Sequence, residues 1–209
     1  MAHDALYNIL VFLPLLPDDH EGKRILDVGS GCGTVIHKIV SMSGRPWSHF
    51  VGMPYVIGIE KDPELVEFTK KWMPYYSEIY LWDATNIPYP QEIVGKPIDV
   101  IICSESVEHW LNKEQALKTV EYLVSLAPTV IFICPSGNQT NKLYEQDYHN
   151  HNLVWNVEDF EQFGLETKIF SQYPKELELF FRIIKPIFTG KPLSRQIIAW
   201  KVDLQMSKR

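Results

Sequence analysis

Cysteine is scarce: Cys32, Cys103 and Cys134 are the three in 209 residues. Their number is odd, they lie far apart, and no CxxC pair occurs. Set in apolar runs, they read as buried free thiols of a reducing compartment rather than as a disulfide framework. Also missing is an apolar run long enough to cross a bilayer. The nearest approach, residues 5–16, is interrupted by Pro14 and preceded by Asp4 instead of basic residues. It therefore has the marks of neither a membrane span nor a secretory signal, and it reads as a packing helix. A basic excess is lacking too. Twenty Lys and Arg face 26 Asp and Glu, a formal net charge of −6, which argues against a broad phosphate-binding surface while leaving room for a local basic patch. No internal repeat, low-complexity tract or long linker interrupts the chain. These absences leave a cytoplasmic protein as the expectation, with residues 1–209 as one domain.

What the chain does have is core-forming material, 45% hydrophobic residues, arranged as short apolar strands alternating with helical segments. Strands are expected at residues 24–28, 55–59, 79–82, 98–103, 129–134, 165–170 and 195–202. Helices are expected at 4–13, 34–42, 63–72, 113–126 and 157–163, with a loop or insertion at 44–54. Asp62 followed by Pro63 is a strong helix-start signal, because the side chain can cap free N–H groups and proline tolerates the first helical position. Such alternation implies βαβ units with right-handed crossovers. The expected fold class is α/β, a Rossmann-like doubly wound sheet of seven mostly parallel strands.

In such a sheet ligands bind beyond the carboxyl ends of the strands, near the topological switch point. The chemistry-bearing residues of this sequence follow the strands. The first strand runs into Asp27-Val28-Gly29-Ser30-Gly31-Cys32-Gly33. Glycine there permits a sharp turn and close approach of a ligand, and the helix that follows offers N–H groups to a carboxylate. A dinucleotide fingerprint would place glycine or alanine three residues after its second glycine, a position held here by Thr34. The acid two residues before the first glycine would oppose a pyrophosphate but suit a ligand carrying an ammonium group. Glu60, with Lys61 beside it, ends the second strand, where a carboxylate can accept both hydroxyls of a ribose. Asp83 ends the third, placed to accept from an adenine amino group while the N–H of Ala84 donates to the ring. Ser104 and Glu105 end the fourth. For each, a plain alternative exists: glycines serving turn geometry alone, a solvated Glu60, a helix-capping Asp83.

Together these four features, from residue 25 to about 137, resemble the class I S-adenosylmethionine-dependent methyltransferases. The resemblance implies that Asp27, Gly29, Ser30, Gly31 and Gly33 hold the methionine part of S-adenosylmethionine, Glu60 the ribose, and Asp83 with Ala84 the adenine. Backbone at Ser104 and Glu105 would line the methionine end. The segment Ser104-Glu105-Ser106-Val107-Glu108-His109 is similar to that of ubiquinone-biosynthesis O-methyltransferases and their small-molecule relatives. A like Glu-x-x-Glu-His occurs in small-RNA 3′-terminal 2′-O-methyltransferases, where the acids and histidine join a later histidine in holding magnesium; residues 148–155, with His149 and His151, resemble that later segment. Glu105, Glu108, His109 and His151 thus offer two carboxylates and two imidazoles. If Ser106 and Val107 open a helix, the two acids share a face. That set would suit magnesium or, as readily, manganese, zinc or iron. The alternative is an acceptor pocket without metal, so no metal is assigned.

The expected function is methyl transfer to a small-molecule acceptor, with His109 as the candidate base, because imidazole titrates near neutrality. His149 and His151 are alternatives, and Trp110, Tyr148 and Trp155 are candidate walls for an apolar acceptor. Nucleic acid is a weaker expectation. The basic residues near the end, Arg182, Lys185, Lys191, Arg195 and Lys201, are mixed with apolar residues at 180–188, as in an amphipathic cover. The competing readings are metal-assisted methylation of an RNA 3′ end and a protein of this fold that binds the cofactor without turnover.

Overall fold

The structure is a computed structural model and describes residues 22–42, 54–137, 150–171 and 195–202. The expected helix at 4–13, nearly all of the 44–54 loop, the 177–188 stretch with Arg182 and Lys185, Lys191, Tyr148 and His149 lie outside the described residues.

Strands covered on both faces read as continuous apolar runs, and four here do: β1 (Arg24–Val28), β2 (Tyr55–Glu60), β4 (Val100–Ser104) and β5 (Thr129–Pro135). They join β3 (Tyr76–Leu81), β6 (Glu166–Ser171) and β7 (Arg195–Val202) in a seven-stranded sheet of order β3-β2-β1-β4-β5-β7-β6. All neighbouring pairs from β3 to β5 are parallel, and β7 runs antiparallel to both β5 and β6. The chain builds outward from β1 to β3, then returns to place β4 on the other side of β1. The carboxyl ends of β1 and β4 are therefore the switch point, where the connecting loops part and leave a crevice.

Successive strand residues point to opposite faces, and the core accordingly forms two layers. Leu26, Ile57, Ile101, Val130 and Phe132 share one with Ala116, Val120 and Leu123 of helix α4 (Lys113–Leu126). Ile25, Val56, Val100, Ile102 and Ile131 share the other with Ile36 and Ile39 of α1 (Thr34–Met42). Helices thus cover both faces, as a doubly wound sheet requires. Helix α2 (Pro63–Trp72) starts where Asp62 accepts from the N–H of Glu64 at 2.8 Å. The first turn of α4 is capped by Asn112, which accepts from Gln115 at 3.0 Å. Short helices α3 (Gln91–Val94) and α5 (Glu158–Glu161) complete the described elements.

Several boundaries differ from expectation. Strand β3 begins at Tyr76, three residues earlier than the apolar pattern indicates, because it is the edge strand and tolerates the exposed Ser77 and the half-buried Glu78 near its start. The helix expected at 157–163 is the short α5, and β4 begins at Val100. The residues after β4 form one 3-10 turn, Val107–His109, instead of opening an α-helix. Glu105 and Glu108 thus share no helical face. Cys103 and Cys134 are buried as expected, but Cys32 is exposed, since it stands in the glycine turn rather than in the strand before it. Trp155, expected to wall an acceptor, is core: it is fully buried and stacks on Phe160 with centroids 5.0 Å apart.

Candidate active site

At the end of β1 the backbone turns through Gly29, Gly31 and Gly33, all with positive φ (69°, 55° and 76°). Two of them show why a side chain is excluded. A Cβ on Gly29 would stand 2.2 Å from Ser106 Oγ, so the β1 and β4 loops approach as closely as they do only with glycine here. A Cβ on Gly31 would meet no atom within 4 Å, because that direction opens into the crevice. The turn is held from β2: Gly29 and Ser30 donate to the Ile59 carbonyl at 2.9 and 3.1 Å.

Glu60 ties the turn to the next helix. Its Oε2 accepts from Gly31 N–H at 2.8 Å, and its Oε1 accepts from Lys61 and Asp62 N–H at 2.7 and 2.9 Å. These backbone bonds fix the carboxylate at the crevice rim. Asp83 is similarly held, accepting at Oδ1 from Thr85 N–H and Oγ1 (3.0 and 2.8 Å) while Oδ2 pairs with Lys61 Nζ at 2.6 Å. Burial opposes ionisation of Asp83, but Lys61 and Thr85 outweigh it and hold its carboxyl below the ordinary range.

These groups line one cavity. Gly29, Gly31, Glu60, Lys61, Asp83 and Ala84 form its β1–β3 side, and Glu105, Ser106, His109, Trp110, Leu111, Asn112 and Gln115 form the other. The sequence anticipated the first group, Glu105, His109 and Trp110, but not Ser106, Leu111, Asn112 and Gln115, whose one signal is their place in the chain after β4.

Four expected site residues lie off the cavity wall. Asp27 is buried, with Oδ2 accepting from the Tyr76 hydroxyl. Burial drives its carboxyl up to about 7, the Tyr76 bond opposes that rise, and the charge of Glu60 adds to it. Ser30 is buried and its hydroxyl has no hydrogen-bond partner. Gly33 backs onto the Tyr76 ring, and Ser104 is the buried last residue of β4.

On the far side, His109 and the segment after residue 150 are stitched together. The His109 Nδ1 lies 3.0 Å from the Asn150 carbonyl, Asn152 and Leu153 donate to the Glu108 carbonyl at 2.7 and 3.1 Å, and Asn152 Nδ2 donates to the His109 carbonyl at 3.0 Å. A carbonyl only accepts, so Nδ1 carries the proton and, in the neutral ring, Nε2 is the basic nitrogen. The ring of His151 meets that of His109 edge-on, centroids 4.9 Å apart. Glu108 is 1% exposed, and neither carboxyl oxygen has a hydrogen-bond partner. Burial and the neighbouring Glu105 hold that carboxyl well above the usual carboxylate range. One ligand atom from each of Glu108, His109 and His151 lies within 4.8 Å of the others. Glu105, the fourth expected member, turns to Gln196 and accepts from its Nε2 at 2.6 Å.

A parallel sheet with an acid after each of its second and third strands, and a glycine turn after its first, is the architecture of a nucleoside-binding α/β domain. Residues 19–172 match the family model described as a methyltransferase domain. The chain belongs to that family. No curated protein sequence matches it. Among solved structures, it is similar to Haemonchus contortus phosphoethanolamine N-methyltransferase 2 in complex with phosphomonomethylethanolamine and S-adenosylhomocysteine (TM-score 0.58, 14% identity, 94% of this chain and 52% of that one). It is also similar to a SAM-dependent methyltransferase from Archaeoglobus fulgidus (TM-score 0.56, 17% identity, 94% of each chain). A third similar structure is the small RNA methyltransferase HEN1 (TM-score 0.59, 14% identity, 94% of this chain and 25% of that one). The chain thus spans about half the length of the Haemonchus enzyme and a quarter of HEN1, but nearly all of the Archaeoglobus protein. No helix among the described residues is long and apolar enough to cross a membrane.

Proposed function

We propose that residues 1–209 act as one catalytic domain that methylates a small molecule, bound between the glycine turn and the His109–Gln115 side of the cavity. The observation that carries this reading is the convergence of Gly31, Glu60, Asp83, Ala84 and His109 on one cavity. The chain fits S-adenosylmethionine there. The open direction at Gly31 is a cradle that a side chain would fill, and the Glu60 and Asp83 carboxylates keep acceptor capacity beyond the bonds they already make. Glu60 would take the ribose hydroxyls, Asp83 and Ala84 the adenine, and the turn with Glu105 the methionine end. When bound, the cofactor supplies a methyl group already activated by a sulfonium.

The rest falls to the chain. Trp110 and Leu111 would exclude water and shape the acceptor pocket, and His109 would hold the acceptor proton at Nε2 with its ring steadied by Asn150. A cytoplasmic location is in keeping with the buried free thiols of Cys103 and Cys134. Calorimetry with S-adenosylhomocysteine tests the core of the reading: the chain should bind it, and Glu60→Ala should weaken binding about tenfold or more. Binding of NADH in its place would overturn the reading.

A second reading, metal-assisted 2′-O-methylation of an RNA end, is favoured by one observation. The buried Glu108 carboxyl has no hydrogen-bond partner, its Oε1 lying 3.9 Å from His109 Nε2 beside the second imidazole of His151, and a buried carboxyl without hydrogen bonds is costly unless a cation or proton satisfies it. Glu108, His109 and His151 would hold a divalent ion, which would lower the pKa of a coordinated hydroxyl. Methylation of RNA 3′ ends in the presence of Mg²⁺ or Mn²⁺, with none on small-molecule acceptors, would establish it over the first.

A further inference from the structure

Tyr76 begins β3, two strands away from β1, yet its hydroxyl donates to Asp27 on β1. To reach it the ring must pass over β2. It does so at Gly58, the residue in register with Asp27. A Cβ on Gly58 would stand 2.9 Å from Tyr76 Cε1, so any side chain there would block the path. The opposite edge of the ring lies under the glycine turn, where a Cβ on Gly33 would stand 2.9 Å from Cε2. Three positions on three segments, Gly33, Gly58 and Asp27, are thus shaped around one phenol. A lone buried tyrosine needing a hydrogen-bond partner would not account for both glycines.

We infer that Tyr76 is a positioning residue of the cofactor site: its hydroxyl, reaching over Gly58, fixes the Asp27 carboxyl beneath the glycine turn as the counter-charge for the ammonium end of the cofactor. The inference rests on the reading that this turn receives the methionine part of S-adenosylmethionine. The titratable groups that act on Asp27 are Tyr76 from β3 and Glu60 at the end of β2, with Cys103 on β4 and Cys32 in the turn coupled to it or to Tyr76 only through their charges. With burial and Glu60 both favouring the protonated acid, the Tyr76 bond is the interaction on the other side of the balance. Without it, burial and Glu60 push the carboxyl further up, and the turn carries less negative charge near neutral pH.

The test is calorimetry on the full chain between pH 6 and 8.5 with two probes. S-adenosylhomocysteine carries the ammonium; 5′-methylthioadenosine shares the adenosine and lacks it. In Tyr76→Phe the ring is kept and the hydroxyl lost. Affinity for S-adenosylhomocysteine should fall about fivefold at pH 7 and hardly at all at pH 8.5, the pH profile moving up by about one unit. Affinity for 5′-methylthioadenosine should stay unchanged. In an Asp27→Asn background, where no charge can form, Tyr76→Phe should cause no further loss. An equal loss for both probes at every pH would mark Tyr76 as structural only and overturn the inference, as would no loss for either. If the unmutated chain bound neither probe, the cofactor reading itself would fall, and Tyr76 with it.

Discussion

Asp27 serves opposite demands. Its carboxyl is buried and driven up to about 7 from an ordinary value of 3.8. A carboxyl whose folded value is raised stabilises the fold fully only below its unfolded value, and that advantage is lost as pH rises toward 7. Each unit of difference corresponds to ~1.4 kcal/mol, so the ionised acid burdens the folded state at pH 8 far more than at pH 4. Asp27→Asn, which can still accept from Tyr76, should therefore raise the melting temperature at pH 8 and change it little at pH 4, while weakening S-adenosylhomocysteine binding. Thermal denaturation at the two pH values checks the sign. A variant less stable at pH 8 would show that the buried charge is compensated. This residue was legible in the sequence, as were Glu60 and Asp83, because each stands at or just past the carboxyl end of an apolar strand. Tyr76 was not legible. It reaches its partner from an edge strand whose polar residues hide its start, and the only sequence signal was a glycine, Gly58, inside an otherwise β-branched and aromatic strand.

At the scale of elements, the junction between α4 and the 150–161 segment decides where His109 stands. Lys113, the first residue of α4, donates to the Val154 carbonyl and to Asp159 Oδ2, both at 2.8 Å, with its ammonium 3.7 Å from the Trp155 ring centroid. The pair is partly shielded, so its value exceeds that of a surface ion pair, and the ring adds a cation–π term. Lys113→Ala should lower stability by about 1–3 kcal/mol in denaturant unfolding and leave S-adenosylhomocysteine affinity unchanged, since no part of this junction lies on the β1–β3 side. Loss of affinity in step with stability would show that the two sides are not separable. The helices α1, α2 and α4 matched the sequence pattern because each has an apolar face, and two of them a capping residue. The segment after β4 misled because Glu-x-x-Glu looks like helical spacing. One positive φ, 53° at Glu105, sends that side chain to Gln196 instead, and no residue-type preference announces it.

Across the whole molecule the switch point separates two jobs. In the proposed reading, residues that follow β1, β2 and β3 take the nucleoside and those that follow β4 take the acceptor, and next to the latter lies Glu108, whose carboxyl oxygens have no hydrogen-bond partner. Burial and Glu105 raise its carboxyl, so its stabilising contribution is greatest at low pH and disappears as pH climbs through the folded value. A divalent ion binding Glu108, His109 and His151 must displace that proton, and its affinity therefore increases with pH. Because only the folded chain assembles this cluster, binding raises stability by mass action, about 2.7 kcal/mol at a hundredfold excess over the dissociation constant. Mn²⁺ should then raise the melting temperature more at pH 8 than at pH 6, and Glu108→Gln, which cannot become anionic, should abolish the effect while S-adenosylhomocysteine still stabilises the variant. A Mn²⁺ shift that survives in Glu108→Gln would place the ion elsewhere. No shift at either pH would remove the observation favouring RNA and leave Glu108 as a protonated acid shaping a small-molecule pocket.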